Sequence, residues 1–334
     1  MTHAAVIGGG SWGTALAKVL ADKGERVVLW GRDPALVRTM RETHENARYL
    51  PGVRMPDSLE ATNDMAEAVH GASLVLVVVP SHTLRENVHH LRVLGIPEGV
   101  PIVSATKGIE NETLQLMSEV LEAELPNSYH RHLAYLSGPS FAKEVARGQP
   151  TAVVIASRDL ALAESLQVRF SSERLRAYAN TDVIGVEVGG ALKNVIAIAS
   201  GCVDGMQLGH NARAAVITRG LAEIARVSMV KGGDPLTLAG LAGLGDLLLT
   251  CTGEASRNRT VGFELGKGRT LEEVLAGMTQ VAEGVRTAKS ARDLAIELGV
   301  DMPITNEVYA VLYEGKPVRQ AVSDLMTRTL GREW

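Results

Sequence analysis

Residues 4–13 read Ala4-Ala5-Val6-Ile7-Gly8-Gly9-Gly10-Ser11-Trp12-Gly13, and this stretch decides the fold. The apolar run 4–7 predicts a buried strand. Gly8, Gly10 and Gly13 follow at the spacing G-x-G-x-x-G, and an amphipathic pattern over 11–23 predicts a helix. Each glycine has its own task. Gly8 permits the tight turn, Gly10 lets a pyrophosphate approach the backbone, and Gly13 lets the helix pack closely on the strand. The anion then rests on unpaired N–H groups at the positive end of the helix. The spacing alone is common. A strand before it and a helix after it are the context that turns it into a dinucleotide site.

Working outward, a second strand is predicted over 26–30, and Pro34 opens the next helix because its fixed φ suits a first turn. The run 74–79 is β-branched and uninterrupted, as in a strand buried on both faces. Further strands are predicted over 101–105, 133–137 and 151–156, with helical patterns around 83–94, 112–124 and 159–169. This alternation predicts an N-terminal Rossmann-like, doubly wound, mostly parallel sheet. Past about residue 180 strand patterns cease. Residues 183–201 are apolar and rich in small side chains, which predicts a buried central helix. Further helices are predicted over 211–230, 236–250, 256–266, 270–275, 287–298, 304–313 and 317–328. The chain therefore reads as α/β with two domains, which suits its 334 residues at about 150 per domain. Residues 1–181 form the dinucleotide-binding domain, and 182–334 an all-helical substrate-binding and catalytic domain.

Composition excludes several classes. Lys and Arg number 34 against 38 Asp and Glu, a net charge of -4, so no basic excess points to nucleic acid. A hydrophobic share of 46% excludes low-complexity disorder. Two cysteines, Cys202 and Cys251, cannot build a disulfide framework or a zinc ribbon. The longest apolar run, 72–80, falls well short of the roughly 20 residues that span a bilayer. The N-terminus enters a strand directly, so no signal peptide is expected. These points predict a soluble cytoplasmic protein. The 34 glycines exceed the roughly 23 of an average chain this long. Most of the surplus is expected to clear backbone for ligands.

In an open α/β sheet ligands bind beyond the carboxyl ends of the strands. The second strand ends Trp30-Gly31-Arg32-Asp33. There an acid bonds a ribose 2′-hydroxyl, whereas an arginine accommodates the 2′-phosphate of NADP. Arg32 comes first and points to NADPH. Asp33 keeps NADH open, or simply caps the next helix. Lys107 directly follows another strand and suits a phosphate or carbonyl oxygen, or stands solvated in a loop. Ser140 is expected to cap a helix starting at residue 141, and both it and Gly138 are placed to touch ligand.

The segment Gly189-Gly190-Ala191-Leu192-Lys193-Asn194-Val195-Ile196 carries the clearest chemical signal. A helix apolar on all sides is buried, yet Lys193 and Asn194 interrupt it. A buried lysine is costly unless paired or deprotonated, and such lysines are a common source of general acids and bases. The plainer role is a lysine snorkelling at a domain edge. Gly189 and Gly190 are expected to leave room for a ligand beside it. In Gly240-Leu241-Ala242-Gly243-Leu244-Gly245-Asp246, a glycine-spaced loop precedes an acid able to hold Lys193, or to act as an N-cap. Asp246 and Thr250 share a helix face. Ser256-Arg257-Asn258-Arg259 begins another helix, where a phosphate is favoured by the helix N-terminus and a fork of arginine donors.

Taken together, GGGSWGTALA, SATKGIE, LSGPSFAKEV, GVEVGGALKNVIAIASG, GLAGLGDLLLTC and SRNR resemble the bacterial NAD(P)-dependent glycerol-3-phosphate dehydrogenases, from Gly8 to about Glu283. The resemblance implies interconversion of dihydroxyacetone phosphate and sn-glycerol 3-phosphate for phospholipid synthesis, by a homodimer, with Lys193 as catalytic base. It implies substrate contacts at Lys107, Gly138, Ser140, Lys193, Asp246, Ser256, Arg257 and Asn258. It implies contacts to NADPH or NADH at Ser11, Trp12, Arg32, Lys107, Ala142, Arg257, Val281 and Glu283. Two other readings stay open: another dehydrogenase of the Rossmann-plus-helical type acting on a hydroxy acid or sugar acid, and a non-catalytic NADPH sensor.

Overall fold

The computed structural model describes residues 2–278 and 282–332. The chain divides into two compact units. The first runs to Glu110 and resumes over Gln115–Glu187, and the second takes Asn111–Leu114 and the chain from Val188 onward.

The first unit holds the strands His3–Ile7 (β1), Val27–Trp30 (β2), Leu59–Thr62 (β3), Ala72–Val77 (β4), Ile102–Ser104 (β5), Leu133–Ser137 (β6), Thr151–Ala156 (β7) and Leu175–Asn180 (β8). They form one sheet in the order β3-β2-β1-β4-β5-β6-β7-β8. Neighbours run parallel except β6 and β7. The winding reverses at β1, which pairs with β2 on one side and β4 on the other. In such sheets this is where a ligand crevice opens. The expected sheet is present, with two strands the sequence pattern did not reveal, β3 and β8. Both are edges. Their outward residues Glu60, Arg176 and Tyr178 are exposed, so neither shows the apolar run of a strand covered on both faces. The core is aliphatic, with Ile7, Leu16, Leu20, Leu29, Leu74 and Leu76 fully buried.

Among the described residues the second unit contains no strand and is helical, as expected. Its predicted 236–250 helix is broken. Pro235–Leu238 is followed by a π-helical turn, Leu241–Gly245, that feeds the helix Asp246–Thr252. Asp246 is therefore not an N-cap, because helical backbone precedes it. The helix Val183–Gly205 is apolar enough by composition to cross a bilayer, but 94% of its most apolar window is buried within the protein. It is a core helix.

Candidate functional site

In the first unit the glycine turn has the geometry its spacing implies. Gly8 has φ +131 and passes so close to β4 that a Cβ would lie 2.1 Å from the Val78 carbonyl oxygen. A Cβ on Gly13 would lie 1.9 Å from the Gly8 oxygen, so strand and helix meet there. Gly10 differs, since a Cβ there would meet nothing within 4 Å. It also caps the helix Ser11–Asp22 without a side-chain bond, and the first N–H groups of a helix have no intrahelical partner. Trp12 Nε1 is buried and finds no hydrogen-bond partner among the described residues. Open space over Gly10, an uncapped helix start and a waiting donor fit a dinucleotide. Ala142, at the start of the helix Ala142–Ala146, packs with Trp12 on the same aliphatic core.

Arg32 is exposed at the end of β2. Asp33 caps the helix Pro34–Thr43, accepting from Ala35 N at 2.9 Å and Leu36 N at 3.4 Å. The loops after β4, β5 and β6 are joined. Thr106 Oγ1 donates to the Val79 oxygen at 2.9 Å, and a Cβ on Gly108 would strike Ser81 at 2.7 Å. Lys107 Nζ donates to the Gly138 oxygen at 3.2 Å, and Ser140 Oγ donates to the same oxygen at 3.0 Å. Lys107, Gly138 and Ser140 thus converge. Ser140 does not cap the next helix. Its hydroxyl turns back onto Gly138, and Phe141 occupies the cap position without a side-chain bond.

In the second unit Lys193 is 7% exposed and Asp246 1%. Lys193 Nζ donates to Asp246 Oδ1 and, at 3.0 Å, to Thr250 Oγ1. Thr250 Oγ1 in turn donates to the Asp246 carbonyl oxygen at 2.6 Å. The carboxylate compensates the ammonium that burial alone would penalise, and Thr250 fixes its direction. The expectation that Gly189 clears space for a ligand fails. A Cβ there would lie 2.6 Å from the Ala242 oxygen, so protein backbone already fills the gap. Gly189 precedes Lys193 by four residues, and Ala242 precedes Asp246 by four. Residues so spaced lie on one helix face, and the close backbone contact brings the ion pair together one turn later.

A second pair repeats this arrangement. Asn258 Nδ2 donates to Asn194 Oδ1 at 2.9 Å, and Gly284 N donates to Asn258 Oδ1 at 2.9 Å. One turn on, a Cβ at Gly262 would lie 1.9 Å from the Ile198 oxygen. Gly201 and Gly205 on the central helix meet Arg259, Phe263 and Gly266 of the helix Arg257–Gly266 in the same way. Gly201 and Gly205, part of the glycine surplus expected to clear backbone for ligands, instead let two helix backbones touch. The matching spacings Gly201-x-x-x-Gly205 and Gly262-x-x-x-Gly266 were the available signal. Ser256 is the N-cap of Arg257–Gly266, accepting from Arg259 N at 3.2 Å. Arg257 is exposed beside it. Arg259 turns away to Asp204, at 2.9 Å and 2.7 Å, so it is not part of a phosphate fork. Glu283 is half-buried at the first position of the helix Glu283–Leu298. Val281 lies outside the described residues.

Two buried groups mark what the chemistry does not use. Burial pushes the thiols of Cys202 and Cys251 up to about 12, so both stay protonated and unreactive at neutral pH. A residue the sequence pattern missed is Asn46. It is fully buried, and its Nδ2 donates to the Gly9 oxygen at 2.9 Å and to Thr14 Oγ1 at 2.8 Å, bracing the glycine turn. No spacing rule marks an asparagine that acts across so many residues.

Comparison with known proteins follows the same division. Residues 3–163 match the family profile for the NAD-dependent glycerol-3-phosphate dehydrogenase N-terminus, and residues 182–323 that for its C-terminus. A Myxococcus xanthus protein named glycerol-3-phosphate dehydrogenase [NAD(P)+] is 56% identical over 323 residues, covering 97% of this chain and 96% of the relative. The crystal structure of glycerol-3-phosphate dehydrogenase from Coxiella burnetii superposes with a TM-score of 0.93 at 42% identity, over 98% of this chain and 99% of that one. A D-mandelate dehydrogenase in ternary complex with NADH reaches a TM-score of 0.61 at 13% identity, over 96% of this chain and 100% of that one, which is a likeness of fold alone.

Proposed function

The chain belongs to the NAD-dependent glycerol-3-phosphate dehydrogenase family, an NAD(P)-dependent oxidoreductase acting on a secondary alcohol, and from that premise we propose that it reduces dihydroxyacetone phosphate to sn-glycerol 3-phosphate with Lys193 as general acid. The observation that carries this reading is the buried Lys193–Asp246–Thr250 cluster. When bound, the nicotinamide cofactor supplies a hydride to the ketone carbon. Lys193, held as ammonium by Asp246, gives its proton to the oxygen as negative charge develops there, and takes it back in the reverse direction. Asn194 or Lys107 polarises the carbonyl. Ser256, Arg257 and the start of the helix Arg257–Gly266 hold the phosphate, where a helix N-terminus favours an anion. Asn258 spends one amide hydrogen on Asn194 and offers the second to the phosphate. Gly138 and Ser140 complete the substrate contacts. Holding the reactants in position supplies several kcal/mol of the barrier.

The dinucleotide rests on Gly8, Gly10, Ser11, Trp12 and Gly13, with Arg32 at the 2′-phosphate of NADPH and Lys107, Ala142, Arg257, Val281 and Glu283 as further contacts. In this reading the enzyme is a cytoplasmic homodimer that provides the glycerol unit of phospholipids. The test is loss of NADPH absorbance with dihydroxyacetone phosphate beside a panel of keto acids, repeated with NADH. Turnover confined to dihydroxyacetone phosphate is expected. Faster turnover of a keto acid refutes the substrate assignment.

A further inference from the structure

The end of β2 holds a second arginine that local sequence does not reveal. Asp33 uses both carboxylate oxygens within the protein. Oδ1 accepts from Ala35 N and Leu36 N, and Oδ2 accepts from Arg48 Nη1 at 2.7 Å. The guanidinium also holds the Asp33 carboxyl below its ordinary value. Arg48 does not hang on a loose loop. Its neighbour Tyr49 accepts Ser11 Oγ at 2.7 Å through its carbonyl oxygen and donates its N–H to Asn46 Oδ1 at 3.2 Å. Asn46 is itself bonded to Gly9 and Thr14. The loop carrying Arg48 is thus tied at several points to the glycine turn.

We propose that Arg48 is a second guanidinium for the 2′-phosphate of the cofactor, anchored by Asp33, and that this pair sets the preference for NADPH over NADH. The inference rests on the dinucleotide reading of the glycine turn and on Arg32 as its first phosphate contact. An acid just past β2 serves a ribose hydroxyl only if its oxygens are available, and those of Asp33 are engaged. Arginine offers five N–H donors in a planar fork. The Nη1 bond to Asp33 and a side-chain bond with the neighbouring Tyr49 use part of that fork and leave the rest of the donors of Arg48 for an anion. Two guanidinium groups against one carboxylate leave the corner net positive, as a 2′-phosphate requires and a 2′-hydroxyl does not. Asp33, which in the sequence suggests NADH, becomes the anchor of an NADPH determinant.

The test measures KM for NADPH and for NADH on the purified full-length enzyme and on Arg48→Ala, Arg48→Lys and Arg32→Ala. A charged hydrogen bond at an exposed position is worth a factor of about ten, so Arg48→Ala is expected to raise the ratio of the NADPH to the NADH constant about tenfold. Arg48→Lys, which keeps the charge but not the fork, recovers part of that ratio. Inhibition by adenosine 2′,5′-bisphosphate, relative to adenosine 5′-phosphate, is expected to weaken in parallel. If Arg32→Ala shifts the ratio and Arg48→Ala does not, the Arg48 role is overturned while the NADPH reading stands. If neither shifts it, both are overturned. Equal increases for the two cofactors mark Arg48 as a loop strut and also overturn the proposal.

Discussion

Glycine serves two opposite ends in this molecule: at Gly10 it leaves open space, while at Gly8 and Gly13, as in the helical unit, it lets backbone meet backbone. In the nucleotide-binding turn Gly8 needs a positive φ, and at Gly10 the missing side chain leaves open space outside the protein backbone. In the helical unit Gly189, Gly201, Gly205 and Gly262 have no space beside them at all, because another backbone fills it. The first use prepares a surface for a ligand. The second sets the distance between helices, and so places Asp246 on Lys193 and Asn258 on Asn194. The glycine surplus in the composition is therefore only partly a matter of ligand binding.

The comparison can be broken most sharply at the residue the helical glycines position. Lys193→Ala is expected to cut turnover by about a hundredfold to ten-thousandfold, the range for general acid–base groups, while cofactor binding followed by fluorescence persists. Normal turnover would sink the catalytic assignment. Next in size, Gly262→Ala forces a methyl against the Ile198 oxygen and is expected to cost about 3 kcal/mol of stability, seen as a lower thermal midpoint. Gly10→Ala is its counterpart. Its backbone, φ -78, suits any residue and its Cβ meets no protein atom. The midpoint should hold while the KM for the dinucleotide rises. Equal midpoints for the two variants would remove the distinction between the glycine sets.

Smaller effects sharpen the same picture. Arg257 is exposed, so Arg257→Ala should leave the fold intact and raise KM for the phosphorylated substrate about tenfold. An unchanged constant removes it from the phosphate site. In the first unit Glu187 is buried against Ser118 N, at 3.0 Å, and burial raises its carboxyl from 4.5 to about 8. A carboxyl raised on folding makes the folded state bind the extra proton. Its stabilising contribution is therefore complete below about pH 4.5 and is lost as pH rises through about 8. Within that window stability should fall by about 1.4 kcal/mol per pH unit from this group, and Glu187→Gln should flatten the slope in denaturant titrations. A slope unchanged in the variant would assign it elsewhere.

Much of this is legible in the chain. The strands covered on both faces announce themselves as apolar runs. The glycine turn does so by spacing, and Lys193 by standing in an apolar helix. Asp246 stands out in the sequence as its partner because both lie on segments of unusual composition. The edge strands β3 and β8 are hidden because half of each faces water. Ser140 misleads because a hydroxyl before a short helix can bond forward as a cap or, as here, back to the Gly138 carbonyl.

What the sequence determined by itself is whatever depends on a few adjacent residues: the φ that Gly8 needs, the helix start after Gly10, the shared face of Asp246 and Thr250. Tertiary structure alone decided the bonds between residues far apart in the chain. Asn258 meets Asn194 across 64 positions, Asn46 reaches Gly9 across 37, and Arg48 meets Asp33 across 15. Backbone stereochemistry acts within a turn and leaves a local pattern. A hydrogen bond between distant segments depends on how whole helices and strands pack, and no pattern in either segment records its partner.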